Sequence, residues 1–131
     1  MEPKLLINEA FSNKSGEDLE NLGRRVAREF LKPGTEYIMG EFSAANAIEV
    51  LRRASVYGKR FGFDLTDGHD SRSFVMILRH DQGAAWSRYF FGILDEAFRA
   101  LLHQSIRITY TDALCVAQLD LHDGGTGPLS P

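Results

Sequence analysis

The chain has 131 residues, 44% of them hydrophobic and 25% charged, with a formal net charge of −3. That composition suits one soluble domain with a real core and argues against a nucleic-acid binder held by bulk electrostatics. A single cysteine, Cys115, excludes an internal disulfide and fits a reducing cytoplasm, and no segment approaches the roughly 20 apolar residues of a membrane span.

The start, MEPKLLINEAF, is too acidic and too briefly apolar for a signal peptide. Residues 1–14 are expected to form an N-terminal arm or a short edge strand. Residues 15–121 form a single domain, and residues 122–131, rich in glycine, a disordered tail. Ser15 is placed to cap a first helix, with Glu17 and Asp18 at its positive end. Leu19, Leu22, Val26 and Phe30 supply its apolar face, Arg24, Arg25 and Arg28 lie largely opposite, and Pro33-Gly34 is expected to end it. Residues 35–42 read as a short strand or a loop. Ser43 caps a second helix with Ala44, Ala47, Ile48, Leu51 and Ala54 as the buried stripe. Arg52 and Arg53 fall outside that stripe, and Gly58 is a natural stop.

The period then changes to two. Phe61, Phe63 and Leu65 alternate with Gly62, Asp64 and Thr66, which is strand patterning, and Thr66 to Ser71 is turn chemistry. Residues 74–78, FVMIL, are apolar throughout, so this strand is expected to be covered on both faces. Asp81 stands where the N-cap of a long helix, about residues 83–103, is expected. Ile106, Ile108 and Tyr110 begin a second hairpin that ends with Leu121. Phe63-Asp64-Leu65-Thr66-Asp67 echoes Ile108-Thr109-Tyr110-Thr111-Asp112, as a duplicated helix-strand-strand unit would. The fold expected is α+β: an antiparallel sheet of about four strands in two hairpins, with two to three helices mainly on one face.

The long helix carries more apolar surface than one face needs. Trp86, Phe90, Ile93, Ala97 and Leu101 form one stripe, and Phe91, Leu94, Phe98 and Leu102 another. The sheet takes one stripe. The other requires the first helix, a ligand, or the same helix in a second copy. Gly92 inside this helix costs about 1 kcal/mol relative to Ala, which close approach of a backbone or a ligand would rationalise.

Candidate chemistry is sparse. His69-Asp70, His80-Asp81 and His122-Asp123 are His-Asp doublets, and His69, Asp70, His80 and Asp81 form a possible zinc or iron set without tight ligand spacing. The competing reading makes Asp81 a cap, Asp70 a turn residue and the histidines bystanders. Arg79 with the amides of Gln82, Gly83 and Ala84 is a possible anion site. The helical arginines Arg24, Arg25, Arg28, Arg52 and Arg53 are a possible basic patch for an acidic partner, or a solvated face. Cys115 lies in an apolar strand as a small core residue. No nucleophile or phosphate-loop motif occurs, so no catalytic residue is assigned and no cofactor is named.

The order of helices, hairpin, helix and hairpin, with the long apolar helix around Tyr89-Phe90-Phe91-Gly92-Ile93-Leu94-Asp95-Glu96-Ala97-Phe98 between the hairpins, resembles that of vinyl-reductase-type small-molecule-binding domains and the related TRAPP vesicle-tethering subunits. The resemblance covers roughly the last two thirds of the chain at the level of element order, and it implies dimerisation. The cysteine pattern of those small-molecule binders is absent, and no functional residue carries over. The function expected is a non-enzymatic, cytoplasmic regulatory or sensory module, homodimeric. It binds a partner protein or a small apolar ligand through Trp86, Tyr89, Phe90, Phe91 and Ile93. The alternative is a metal-dependent enzyme or metal-binding protein built on the His-Asp doublets.

Overall fold

The computed structural model describes residues 15–58, 61–67 and 73–120. The expected N-terminal arm, the turn carrying His69 and Asp70, and the expected tail with His122-Asp123 lie outside the described residues. The described residues form the expected α+β arrangement, three helices and a four-stranded antiparallel sheet.

Helix α1 spans residues 16–39 without a break, as α-helix Gly16–Val26, a π-helical segment Ala27–Leu31, and α-helix Lys32–Met39. Ser15 caps it, its Oγ accepting the Asp18 N–H at 3.1 Å. The expected stop at Pro33-Gly34 is corrected. In a straight α-helix the Pro33 ring would meet the carbonyl four residues back, but the wider turn just before it relieves that clash. The Lys32 N–H there reaches five residues back to the Ala27 carbonyl. Residues 35–39 are therefore helix, not strand or loop. Gly40 ends it, with φ of 95° and its N–H on the Glu36 carbonyl, the left-handed geometry that glycine adopts cheaply.

The π segment also governs which face is buried. Leu19, Gly23, Ala27, Leu31 and Thr35 are all buried, every fourth residue. Such a line drifts by about 40° per step around a straight α-helix. The widened turn takes up this drift, and the line stays inward over all four steps from Leu19 to Thr35. The expected face of Leu19, Leu22, Val26 and Phe30 is corrected accordingly: Leu22 and Val26 are only partly buried, and Phe30 is 70% exposed.

Helix α2 is Ala44–Gly58, with the Ser43 Oγ accepting the Asn46 N–H at 3.2 Å. Strands β1 (Gly62–Asp67) and β2 (Ser73–Arg79) follow. Helix α3 covers residues 84–101, α-helical over Ala84–Leu94 and π-helical over Asp95–Leu101. Strands β3 (Ser105–Tyr110) and β4 (Leu114–Asp120) are the last described elements. The sheet order is β1-β2-β4-β3, all antiparallel. The two hairpins, each preceded by a helix, thus meet edge to edge along β2 and β4. Phe63 and Ile108, which begin the two halves of the sequence echo, face the same side of the sheet as Leu78 and Ala117, their partners in register.

Phe74, Met76 and Leu78 of β2 and Cys115, Ala117 and Leu119 of β4 are buried beneath the helices. Val75, Ile77 and Val116 lie on the other face and are half-buried. The expected double cover of residues 74–78 is corrected, because the described helices all pack on one side. Leu94, Phe98, Met76, Leu78 and Leu119 are fully enclosed, each contributing on the order of 1.5–3 kcal/mol of burial.

Helix α3 lies on the sheet and α1 lies across α3. At the crossing the backbones touch. A Cβ on Gly23 would strike the Tyr89 carbonyl oxygen and the Ile93 nitrogen, and one on Gly92 would strike the Glu20 carbonyl. Gly92 is explained by close approach of α1. Ion pairs flank the contact: Arg88 with Glu20 at 2.5 Å, Arg24 with Asp95 at 2.5 Å, and Arg28 with Glu96 at 3.2 Å. Of the second stripe, Leu94 and Phe98 are fully buried and Phe91 meets Tyr110 of β3; of the first, Ile93 meets α1 at Gly23, and Phe90 packs on Phe61 and His80 within the same chain.

Candidate functional site

Where α1, α2 and α3 converge they leave an open groove of about 490 Å³, a size typical of small-molecule sites. Leu22, Val26 and Phe30 wall it from α1, Leu51 and Ala54 from α2, and Trp86, Tyr89, Phe90 and Ile93 from α3, with Phe61 at the base of β1. Among the described residues no charged side chain lines it. Phe90 anchors an aromatic cluster, its ring 5.1 Å from Phe61, 5.6 Å from Tyr89 and 5.9 Å from Trp86. Ala54 also forms part of a second hollow of about 360 Å³ with Ile38, Val50, Arg53 and Tyr57. Around these hollows Tyr37, Ile38, Val56 and Tyr57 are exposed, as is Phe30.

The structure brings four of the sequence-selected residues, Trp86, Tyr89, Phe90 and Ile93, onto one wall. Phe91 points away: its ring meets Tyr110 edge-on at 6.0 Å, and the Arg24 guanidinium sits 5.9 Å above it. The opposite walls were missed in the sequence. Their one signal is the line Leu22, Val26, Phe30 on α1, offset by one residue from the buried line.

His80 is buried at the end of β2 and both its ring nitrogens are engaged. Its Nδ1 accepts the Gln82 N–H at 2.9 Å, so Nε2 carries the proton and donates to the Ser87 Oγ at 2.8 Å. The Ser87 hydroxyl passes its own hydrogen to the Thr111 carbonyl. The neutral ring thus ties β2, the start of α3 and the β3–β4 turn together. Burial lowers its pKa, against a smaller opposing pull from Asp81. It also stacks 5.6 Å from Phe90, behind the groove wall.

Asp81 is exposed with φ of 55°, and its expected role as the cap of the long helix is corrected. The Asp81 and Gly83 N–H groups bond the Ala113 and Asp112 carbonyls. That holds the segment to the neighbouring turn, and α3 starts only after Gly83, with no side-chain cap. The same bonds close the possible anion site, since the Gln82 and Gly83 amides are taken and Arg79 pairs with Asp64 at 3.3 Å. Among the described residues no three metal-ligating side chains converge, and His80 offers no vacant nitrogen.

The arginines do not form a free basic patch. Arg24 and Arg28 pair with α3, Arg25 pairs with Glu29 at 3.0 Å, and Arg52 and Arg53 share Glu49. Hydrogen bonds from Arg52 and then Arg53 hold the Glu49 carboxyl down at about 2. Cys115 is a core residue: it is fully buried, its Sγ donates to the Ser87 carbonyl at 3.3 Å, and burial pushes the thiol up to about 11. Among the described residues no helix is long and apolar enough to cross a membrane.

No family model, curated protein or solved structure matches the chain. The likeness to the vinyl-reductase-type domains and tethering subunits therefore stands on element order alone.

Proposed function

We propose that this protein is a non-enzymatic regulatory or sensory module that takes a small apolar ligand into the three-helix groove. The observation carrying this reading is the groove itself: a concavity of about 490 Å³, open to solvent and lined by aromatic and aliphatic side chains. Solvent-facing apolar concavities of this size are the ordinary form of small-molecule sites. The same reading makes the protein a cytoplasmic homodimer. The exposed Tyr37 on α1 and Val56 on α2, which line neither hollow, support contact with a second copy.

Trp86, the chain's one tryptophan, lies in the groove wall and reports on occupancy directly. Titration with the apolar dye N-phenyl-1-naphthylamine is expected to change Trp86 emission and to give saturable dye fluorescence, both weakened in Ile93→Gln. Unsaturable dye uptake, the same in that variant, would refute the groove as a site. For the dimer, light scattering on wild type and Tyr37→Glu decides: a wild-type monomer ends that part of the reading.

A further inference from the structure

The chemical class of the guest follows from what surrounds the groove, and it rests on the groove being a binding site. The 490 Å³ groove and the 360 Å³ hollow beside it share Ala54 as a wall, so the two apolar spaces adjoin where α2 presents its smallest side chain. Among the described residues one charged side chain lines either space, that of Arg53.

Arg53 carries surplus charge. Glu49 is a single carboxylate shared by two guanidinium groups. Arg52 binds both its oxygens, Nε to Oε1 at 2.9 Å and a terminal nitrogen to Oε2 at 2.6 Å. Arg53 adds a third bond through Nε alone, at 2.8 Å. Its two terminal nitrogens make no hydrogen bond to any described residue, and its side chain is 44% exposed. One turn further along α2, Tyr57 lines the same hollow and is 83% exposed. An apolar groove beside a smaller hollow that carries a guanidinium with two spare donors matches a molecule that is hydrocarbon at one end and anionic at the other. A planar carboxylate suits the fork of donors that arginine offers.

We propose that the guest is a single-chain amphiphile bearing a carboxylate, its hydrocarbon part in the three-helix groove and its head group at Arg53. Each methylene added to the chain removes more apolar surface from water. Affinity therefore rises about fourfold per methylene until the groove is full.

The test uses the full chain and Trp86 emission. The probes are n-alkyl carboxylates of about eight to fourteen carbons, kept below their micellar concentrations, with the n-alkyl alcohols of equal length beside them. Wild type is expected to bind the carboxylates with the fourfold step and to prefer them to the alcohols. Arg53→Gln, a surface change, is expected to weaken carboxylate binding by about tenfold or more and leave alcohol binding unchanged. Ala54→Phe, with folding checked by circular dichroism, is expected to weaken both. Alcohols bound as tightly as carboxylates, or carboxylate binding untouched in Arg53→Gln, would overturn the head-group assignment and leave the groove standing. No response to either series would overturn the groove as well. A response to anionic phosphatidylserine vesicles without one to free carboxylates would overturn the proposal in favour of a membrane surface.

Discussion

Replacing Gly92 with alanine sets two effects of opposite sign against each other. Alanine is the better helix former by about 1 kcal/mol, so propensity alone predicts a more stable protein. The crossing predicts the reverse. A methyl group at Gly92 would fall well inside contact distance of the Glu20 carbonyl oxygen and close to the Glu20 Cα. These are backbone atoms within a helix, pinned by the Arg88–Glu20 and Arg24–Asp95 pairs on either side, and no rotamer change moves them away. Forcing atoms into a packed contact costs about 1–3 kcal/mol, and here α1 must lift from α3 to make room. At the upper end of that range, as lifting a whole helix implies, and less the propensity gain, the net expectation is a loss of about 2 kcal/mol. With a urea dependence of 1–3 kcal/mol/M, that lowers the unfolding midpoint by about 1 M at unchanged slope.

The control lies in the same fold. Gly34 is also helical, but a Cβ there meets nothing within 4 Å. Gly34→Ala is expected to keep the propensity gain and raise the midpoint. Urea unfolding followed by Trp86 emission and far-ultraviolet circular dichroism measures both. A Gly92→Ala protein as stable as wild type, or more so, would refute backbone contact at the crossing. Gly23→Ala, on the other side of that contact, is expected to combine with Gly92→Ala less than additively, because either alone already separates the helices.

Thr35 is fully buried, and its hydroxyl has no hydrogen-bond partner among the described residues. Thr35→Val is therefore expected to stabilise by about 1 kcal/mol in urea unfolding, and a loss of stability would reveal a partner for that hydroxyl. His80 has its pKa lowered by burial, so the unfolded chain takes up the proton first as pH falls. Its contribution to stability is whole above the ordinary value of 6.5 and declines below it. Unfolding midpoints measured from about pH 8 to pH 5 should show that decline, and His80→Gln should flatten it. Cys115, buried and held up at about 11, is expected to resist a thiol-specific disulfide reagent until urea unfolds the chain. Rapid labelling of the native protein would contradict its place in the core.

The sequence disclosed elements whose pattern is local. Strand alternation in residues 61–66 and 105–110 reflects a sheet with one covered face. Ser15 and Ser43 announce helix starts because a side-chain oxygen there meets an orphan N–H whatever the tertiary context. Readings failed where a distant part of the chain decided the outcome. Pro33 stops an ordinary helix, and nothing local shows that a widened turn precedes it. Asp81 had the right type and position for a cap, yet the carbonyls of residues 112 and 113 captured the backbone first. The apolar run of β2 looked doubly covered because hydrophobicity cannot say which side the helices choose. The groove was half legible for a similar reason. The aromatic stripe of α3 is visible by spacing, but its other walls depend on how α1 and α2 cross it.

Those crossings join stability to binding. The groove takes one wall from each of three helices, and α1 is held on α3 at Gly23 and Gly92, one residue away from Leu22 and Ile93 in the groove wall. A guest that needs all three walls binds only the docked arrangement. It therefore stabilises that arrangement by mass action, about 2.7 kcal/mol at a hundred times its Kd. The converse follows from the same linkage. If Gly92→Ala lifts α1, the Leu22 and Val26 wall moves off the aromatic wall, and affinity falls although residue 92 does not line the groove. Titrating wild type and Gly92→Ala under conditions where both are folded measures this directly, with Gly34→Ala as the neutral comparison. Equal affinity in all three proteins would mean that the guest sits on α3 and α2 alone, and α1 would then be a structural brace outside the site.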